Sequence, residues 1–234
     1  MSIRRDSSPG TLYIVATPIG HPDDISLRAL RVLREADLVV CEELKEGRRL
    51  LHRYDISRPL VDLNEHNEAQ RTPELAARLA RGEVLALISD AGTPLLADPG
   101  RALVEHAYNV GARVTAIPGP SALLAALVVS GLPMDRFRFV GYLPAKREER
   151  RRALKALRDD PDTLVFFDTP YRLLPVLKDL AAILGRSRFI AVACDLTMPT
   201  EAVVRGPAGK VLKHFQEHPF KGEFVVVAEG KGRR

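Results

Sequence analysis

Through its first half the chain alternates short, β-branched apolar segments with helix-periodic ones, and this alternation narrows the fold more than any other feature. Residues 11–16 (TLYIVA), 38–41 (LVVC), 60–63, 84–88 (VLALI) and 113–117 (RVTAI) read as strands. Between them, residues 25–36 carry apolar side chains at Ile25, Leu27, Ala29, Leu30, Leu33 and Ala36. This is one helical stripe, with Asp23 or Asp24 available as the N-cap. Residues 72–80 read as a helix with Pro73 in its first turn, and residues 101–110 as a helix stopped by Gly111. Strands alternating with helices predict parallel βαβ units in an α/β sheet. Strands that are apolar without alternation predict a sheet covered on both faces.

The second half has a different rhythm. Residues 121–129 form an Ala/Leu-rich helix, and residues 137–143 a strand. A basic run from Lys146 to Arg152 follows, then strands at 163–167, 189–193, 202–205 and 223–228, with helices at 172–184 and 209–216. Consecutive strands near the end predict a mixed sheet. The chain is therefore read as a 1–10 tail, an N-terminal α/β domain over 11–118 with a mostly parallel sheet, and a C-terminal mixed α/β domain over 119–234. With 234 residues, 46% apolar and 28% charged, it has ordinary globular composition. No apolar stretch approaches the ~18 residues of a membrane span. Two distant cysteines fit neither a disulfide framework nor a zinc pair. The reading is of a soluble, cytoplasmic protein. The net charge of +5 permits a nucleic-acid partner without requiring one.

Chemistry concentrates in loops. Three strands of the first half end in Gly/Pro-containing loops: Thr17-Pro18-Ile19-Gly20, Ser89-Asp90-Ala91-Gly92-Thr93-Pro94 and Pro118-Gly119-Pro120-Ser121. Ligands of open α/β sheets sit beyond the carboxyl ends of the strands, so these loops are the physical pointer to a site. Neither a P-loop nor a G-x-G-x-x-G fingerprint is present. Asn64-Glu65-His66-Asn67-Glu68 is open to hydrogen bonding, helix entry or metal binding, though no second His or Cys stands at ligand spacing. Glu42 and Glu43 are candidate bases or plain helix-start carboxylates. The Arg-rich run is either a solvated helix with surface ion pairs among Glu148, Glu149 and Arg152, or an RNA-contacting one.

Taken in order, LYIVATPIG (12–20), DDISLRAL (23–30), NEHNE (64–68), SDAGTPLLADPG (89–100), PGPSA (118–122) and GYLPAK (141–146) resemble the RNA-modifying branch of the tetrapyrrole methylase superfamily. Members of that branch methylate the 2′-oxygen of a cytidine in small-subunit ribosomal RNA. The resemblance covers roughly residues 11–230. It implies two α/β domains, S-adenosylmethionine bound in a cleft between them, a homodimer, and ribosomal RNA or the small ribosomal subunit as partner. Carried over, the cofactor-facing positions are Pro18, Asp90, Ala91, Gly92, Thr93, Pro94, Ser121 and Ala122, with no metal. A ribose hydroxyl needs its proton removed as it attacks, and the candidate bases are Glu43, His66 and Asp98. Lys146 is a candidate for stabilising the developing alkoxide. Lys45, Tyr142, Lys146, Arg150, Arg151 and Arg152 are candidate RNA contacts, through phosphate attraction or base stacking, with Tyr171 a further stacking candidate. The chain departs from the branch at 42–45 (EELK), 168–172 (DTPYR) and 194–198 (CDLTM). Two other readings stay open: a same-fold enzyme acting on a small molecule, and a non-catalytic RNA-binding paralogue.

Overall fold

The computed structural model describes residues 8–232. The chain divides into two compact units, the first ending at Ser121 and the second beginning at Ala122.

The first unit is a five-stranded sheet of β1 (Thr11–Val15), β2 (Leu38–Cys41), β3 (Leu60–Asp62), β4 (Val84–Ile88) and β5 (Arg113–Ile117), in the order β3-β2-β4-β1-β5. Every pairing is parallel. Helices α1 (Leu27–Glu35) and α2 (Leu44–Arg53) cover one face, where Val15, Val39, Ala86 and Ile88 pack against Ala29, Leu33 and Leu51. Helices α3 (Glu68–Ala80) and α4 (Arg101–Asn109) cover the other, where Leu12, Val40, Leu85 and Leu87 meet Leu75, Leu79 and Leu103. The unbroken apolar strands are thus explained by burial on both faces.

Two local expectations are corrected. Helix α1 starts at Leu27, and Ser26 Oγ caps it by accepting the Ala29 N–H at 3.0 Å. Asp23 and Asp24 belong instead to a preceding 3-10 turn capped by His21. Helix α3 starts a turn earlier than Thr72, with Pro73 inside it. The donor that Pro73 lacks would have served the carbonyl of Ala69, and Ala69 is an exposed residue, so the missing bond lies on the solvent side of the helix. The tail reading lies outside the described residues up to residue 7, and at its other end Gly10 is buried. Its N–H donates to Leu79 O at 2.7 Å and its carbonyl accepts from Arg113 N at 3.0 Å. Helix α2 was not bounded from sequence. Its Gly47 sits where a Cβ would lie 2.8 Å from Cys41 Sγ and 3.1 Å from Leu60 Cδ2, so the helix lies close on the sheet at that point.

The second unit is a sheet of β6 (Phe137–Tyr142), β7 (Thr163–Asp168), β8 (Phe189–Cys194), β9 (Ala202–Pro207) and β10 (Phe224–Ala228), in the order β6-β7-β10-β8-β9. Strands β6 and β7 are parallel and the remaining pairs antiparallel. The mixed sheet arises because the last strand inserts between β7 and β8. Helix α5 (Ala122–Ser130) packs on β8, β9 and β10. Helices α6 (Arg147–Ala156), α7 (Leu173–Ile183) and α8 (Ala208–Glu217) surround a core that includes Leu154, Phe166, Leu177, Leu180, Val192, Phe215 and Val226. Strand β10 is antiparallel to both neighbours, so β7 and β8 run the same way. The carboxyl ends of β6, β7 and β8 and the amino end of β10 therefore share one end of this sheet. Both cysteines are free and buried. Among the described residues, no helix is long and apolar enough to cross a membrane.

Candidate functional site

The strand order of the first unit locates the site. From β1 the chain crosses β4 to reach β2, while from β4 it crosses β1 to reach β5. Neighbouring strands β1 and β4 thus send their connections in opposite directions, which opens a crevice at their carboxyl ends. The loops that follow them are bonded into one framework. Thr17 and Gly92 exchange backbone hydrogen bonds at 2.9 and 3.0 Å. The buried Thr17 hydroxyl donates to Ser89 O at 3.0 Å, and Ser89 Oγ donates to Ala91 O at 3.1 Å. The third loop joins through Thr93 Oγ1, which donates to Pro120 O at 3.0 Å.

Gly92 sits at φ +87°, and a Cβ there would come within 3.1 Å of Ile19 Cγ2. A left-handed L-residue costs about 1–2 kcal/mol before any crowding. We therefore expect Gly92→Ala to lower the urea midpoint by at least that much free energy with an unchanged m-value. An unchanged midpoint would show that the framework is not strained at this position.

Most carried-over cofactor positions lie in this framework. Gly92 and Pro94 are buried, Pro18 and Thr93 half-buried, and Asp90 and Ala91 exposed at its mouth. Ser121 closes the third loop, and Ala122 begins α5. Of the candidate bases, Asp98 and Glu43 are close to the loops and His66 is not engaged with them. Asp90 Oδ1 accepts the Glu43 N–H at 3.3 Å. Asp98 lies beside Ser89, and its Oδ2 is buried with no partner. Burial pushes the Asp98 carboxyl up from its ordinary range. Partial burial, then the neighbouring Asp98, Asp90 and Glu43, push Glu42 up. Asp90 is raised chiefly by partial desolvation of its carboxyl against the opposing Glu43 N–H, with the charges of Glu43, Glu46 and Asp98 adding to the rise. The crevice is thus rimmed by carboxylates. His66 points to solvent beside Glu65, 3.6 Å away.

The NEHNE segment is occupied with structure. Asn67 Nδ2 donates to Asp62 Oδ2 at 2.7 Å, Asn67 Oδ1 accepts Asn64 N at 2.8 Å, and Glu68 Oε1 accepts Gly100 N at 2.8 Å. The last bond pins the Asp98-Pro99-Gly100 turn. Sequence reasoning missed Thr17, Ser89 and Glu68. Their role lies in long-range hydrogen bonds, for which a single sequence carries no local signal.

The RNA-contact candidates divide. Lys45, Tyr142, Lys146 and Arg152 are exposed. Arg150 is not available to a phosphate: it is 5% exposed, and its Nε and Nη2 donate to Asp179 Oδ2 at 2.9 and 2.8 Å. Arg151 is also committed, through Nη1 to Asp179 Oδ1 at 2.9 Å. The helical face turned toward α7 carries these two, which is why the basic run is not uniformly solvated. The surface ion pair in this run is Lys146–Glu149 at 3.4 Å, not one made by Arg152.

A parallel, doubly covered α/β sheet with a ligand crevice at its switch point, followed by a mixed-sheet unit, defines an α/β ligand-binding enzyme fold. The family model of the tetrapyrrole (corrin/porphyrin) methylases matches residues 11–212. The chain belongs to that family. It is 45% identical to the ribosomal RNA small subunit methyltransferase I of Escherichia coli O157:H7, over 96% of this chain and 79% of that one. It is 41% identical to the protein of the same name from Thermotoga maritima, over 95% and 99% of the two chains. Among solved structures it is similar to a diphthine synthase (TM-score 0.74, 20% identity, 95% of this chain and 90% of that one). It is also similar to the uroporphyrin-III-C-methyltransferase of Thermus thermophilus (TM-score 0.65, 22% identity, 94% of each chain). The expected fold class stands.

Proposed function

We propose that the chain is an S-adenosylmethionine-dependent methyltransferase that modifies the 2′-oxygen of a cytidine in small-subunit ribosomal RNA. The single observation that carries the reading is the relationship of 39–48% identity, over nearly the whole chain, to several ribosomal RNA small subunit methyltransferases I. The crevice of the first unit supports it. S-adenosylmethionine is a cation at its sulfur and its amino group, and the rim of Glu42, Asp90 and Asp98 offers carboxylates. The buried, unpartnered Asp98 Oδ2 offers an acceptor. The residues therefore fit the group.

When bound, the cofactor supplies an already activated methyl group, so the protein's task is placement and proton removal. The Thr17–Gly92 framework holds the loops rigid. Asp90 and the backbone of Ala91 to Pro94 would form the holding surface within the first unit, together with Pro18 and Ser121. Asp98 and Glu43 are the groups placed to accept the proton of a ribose hydroxyl. Lys45, Lys146 and Arg152 supply phosphate attraction. A homodimer and a cytoplasmic setting complete the proposal.

Transfer of labelled methyl from S-adenosylmethionine to unmodified small ribosomal subunits, followed by nucleoside analysis, tests it. Label in 2′-O-methylcytidine is the expected result. Bound cofactor without label in RNA would overturn the acceptor.

A further inference from the structure

Two departures from the family pattern, 168–172 and 194–198, meet the GYLPAK segment at one end of the second unit's sheet. Tyr142 ends β6, Asp168 ends β7 and Cys194 ends β8, with Phe224 of β10 in register with both Asp168 and Cys194. One guanidinium ties two of these segments together. Arg172 Nη2 donates to Leu143 O and to Pro144 O, both at 2.8 Å, and its Nε lies 3.1 Å from the buried Asp168 Oδ1. Asp168 in turn accepts the Thr169 N–H at 2.8 Å. Tyr142 precedes Leu143 and Tyr171 precedes Arg172, so both tyrosines hang from backbone that this guanidinium fixes. Both are exposed, Tyr142 by 54% and Tyr171 by 87%. The Tyr142 ring is braced edge-on by Phe167, at a centroid distance of 6.1 Å.

An 87% exposed tyrosine on a short 3-10 turn contributes nothing to a core. Rigid, exposed aromatic rings beside cationic groups are the means by which proteins hold unstacked bases. Cationic groups stand nearby. Lys146, Arg147 and Arg152, exposed on and before α6, follow the Tyr142 side, with Glu148 and Glu149 among them. Asp195, Glu201 and Glu223 occupy the β8 and β10 side together with the exposed Lys221. The α6 cations are the groups within the GYLPAK side that a phosphate beside the stacked bases would meet.

We propose that Tyr171 and Tyr142 form a base-stacking platform for single-stranded RNA at this end of the second unit. The inference rests on the reading of RNA as substrate. Binding of a fluorescent, cytidine-containing single-stranded oligoribonucleotide by the full chain, followed by anisotropy across a salt series, tests it alongside methyl transfer to small subunits. Tyr171→Ala should weaken binding about tenfold, and Tyr171→Phe should restore it, because the ring and not the hydroxyl stacks. The slope of log affinity against log salt should be unchanged in both, whereas Lys146→Ala should reduce it. Tyr142→Ala should act in the same direction as Tyr171→Ala. Wild-type affinity and unchanged transfer in Tyr171→Ala, with the wild type active on RNA, would overturn the platform and leave the proposed function standing. So would unchanged RNA affinity with a changed oligomeric state, which would assign the tyrosines to a second copy of the chain. A wild type that neither binds nor methylates RNA would overturn the function, and the platform with it.

Discussion

Replacing Asp179 by alanine is expected to cost about 3–5 kcal/mol of folding free energy, the largest stability loss of any single change considered. The Asp179 carboxylate is 5% exposed and faces Arg150, whose side chain is 6% exposed, as well as the half-buried Arg151. It accepts from Arg150 Nε and Nη2 on one oxygen and from Arg151 Nη1 on the other. Arg150 spends its remaining nitrogen on Ala145 O at 3.0 Å. Removing the carboxylate leaves a buried guanidinium with one backbone acceptor, and an uncompensated buried charge is the costly outcome. The intact pair need not be strongly stabilising for this to hold. Arg150→Met combined with Asp179→Leu should recover most of the loss, because a well-packed apolar pair dispenses with both desolvation terms. Arg151→Ala should cost under ~1 kcal/mol, because that group reaches solvent and Asp179 keeps its main partner. Urea unfolding of the four proteins decides the matter. A loss below ~1 kcal/mol in Asp179→Ala would mean that Arg150 finds water, and that α6 is looser on α7 than the hydrogen bonds indicate.

The same pair marks where sequence reasoning stopped. The parallel sheet was legible because β1, β2 and β4 are apolar on both faces and are followed by amphipathic helices. The site's location was legible because Gly and Pro cluster after β1, β4 and β5. Neither pattern depends on distant contacts. The basic run carried no sign of which arginines turn inward. Arg150 and Arg152 are chemically identical, and only an acidic partner 29 residues away distinguishes the first. Likewise NEHNE displays a metal-like composition, yet Asn67 and Glu68 serve the backbone and neighbouring side chains. The early start of α3 escaped because Pro73 suggests a first turn, whereas the exposed position of Ala69 tolerates it one turn in. Thr17 was read only as part of a turn, although its buried hydroxyl joins the two strands whose connections diverge.

Asp90 should show the second large effect, on ligand rather than fold. Asp90→Ala is expected to weaken S-adenosylmethionine binding about ten- to hundredfold, the range of one charge-assisted hydrogen bond, with RNA affinity little changed. Asp90→Asn is the sharper variant, because it keeps an oxygen for the Glu43 N–H and removes only the charge. Desolvation raises Asp90, Glu42 and Asp98 in the free protein, and neighbouring carboxylates add to it at Asp90 and Glu42. A carboxyl raised on folding contributes stability while protonated, and that contribution is lost as pH rises through its folded pKa. The crevice is therefore in tension at neutral pH without its ligand, and Asp90→Asn should stabilise the free protein there. A cation binds the ionised form, so wild-type affinity for S-adenosylmethionine should rise with pH through the raised range. Affinity for S-adenosylhomocysteine, whose sulfur is uncharged, should rise less. Asp90→Asn should narrow the gap between the two ligands. Calorimetric titration of both ligands from the ordinary carboxylate range up to neutral pH measures this, and an unchanged gap in Asp90→Asn would place the sulfonium away from this carboxylate. The opposed signs, stability gained and ligand lost, separate a carboxylate kept for its ligand from one kept for the fold.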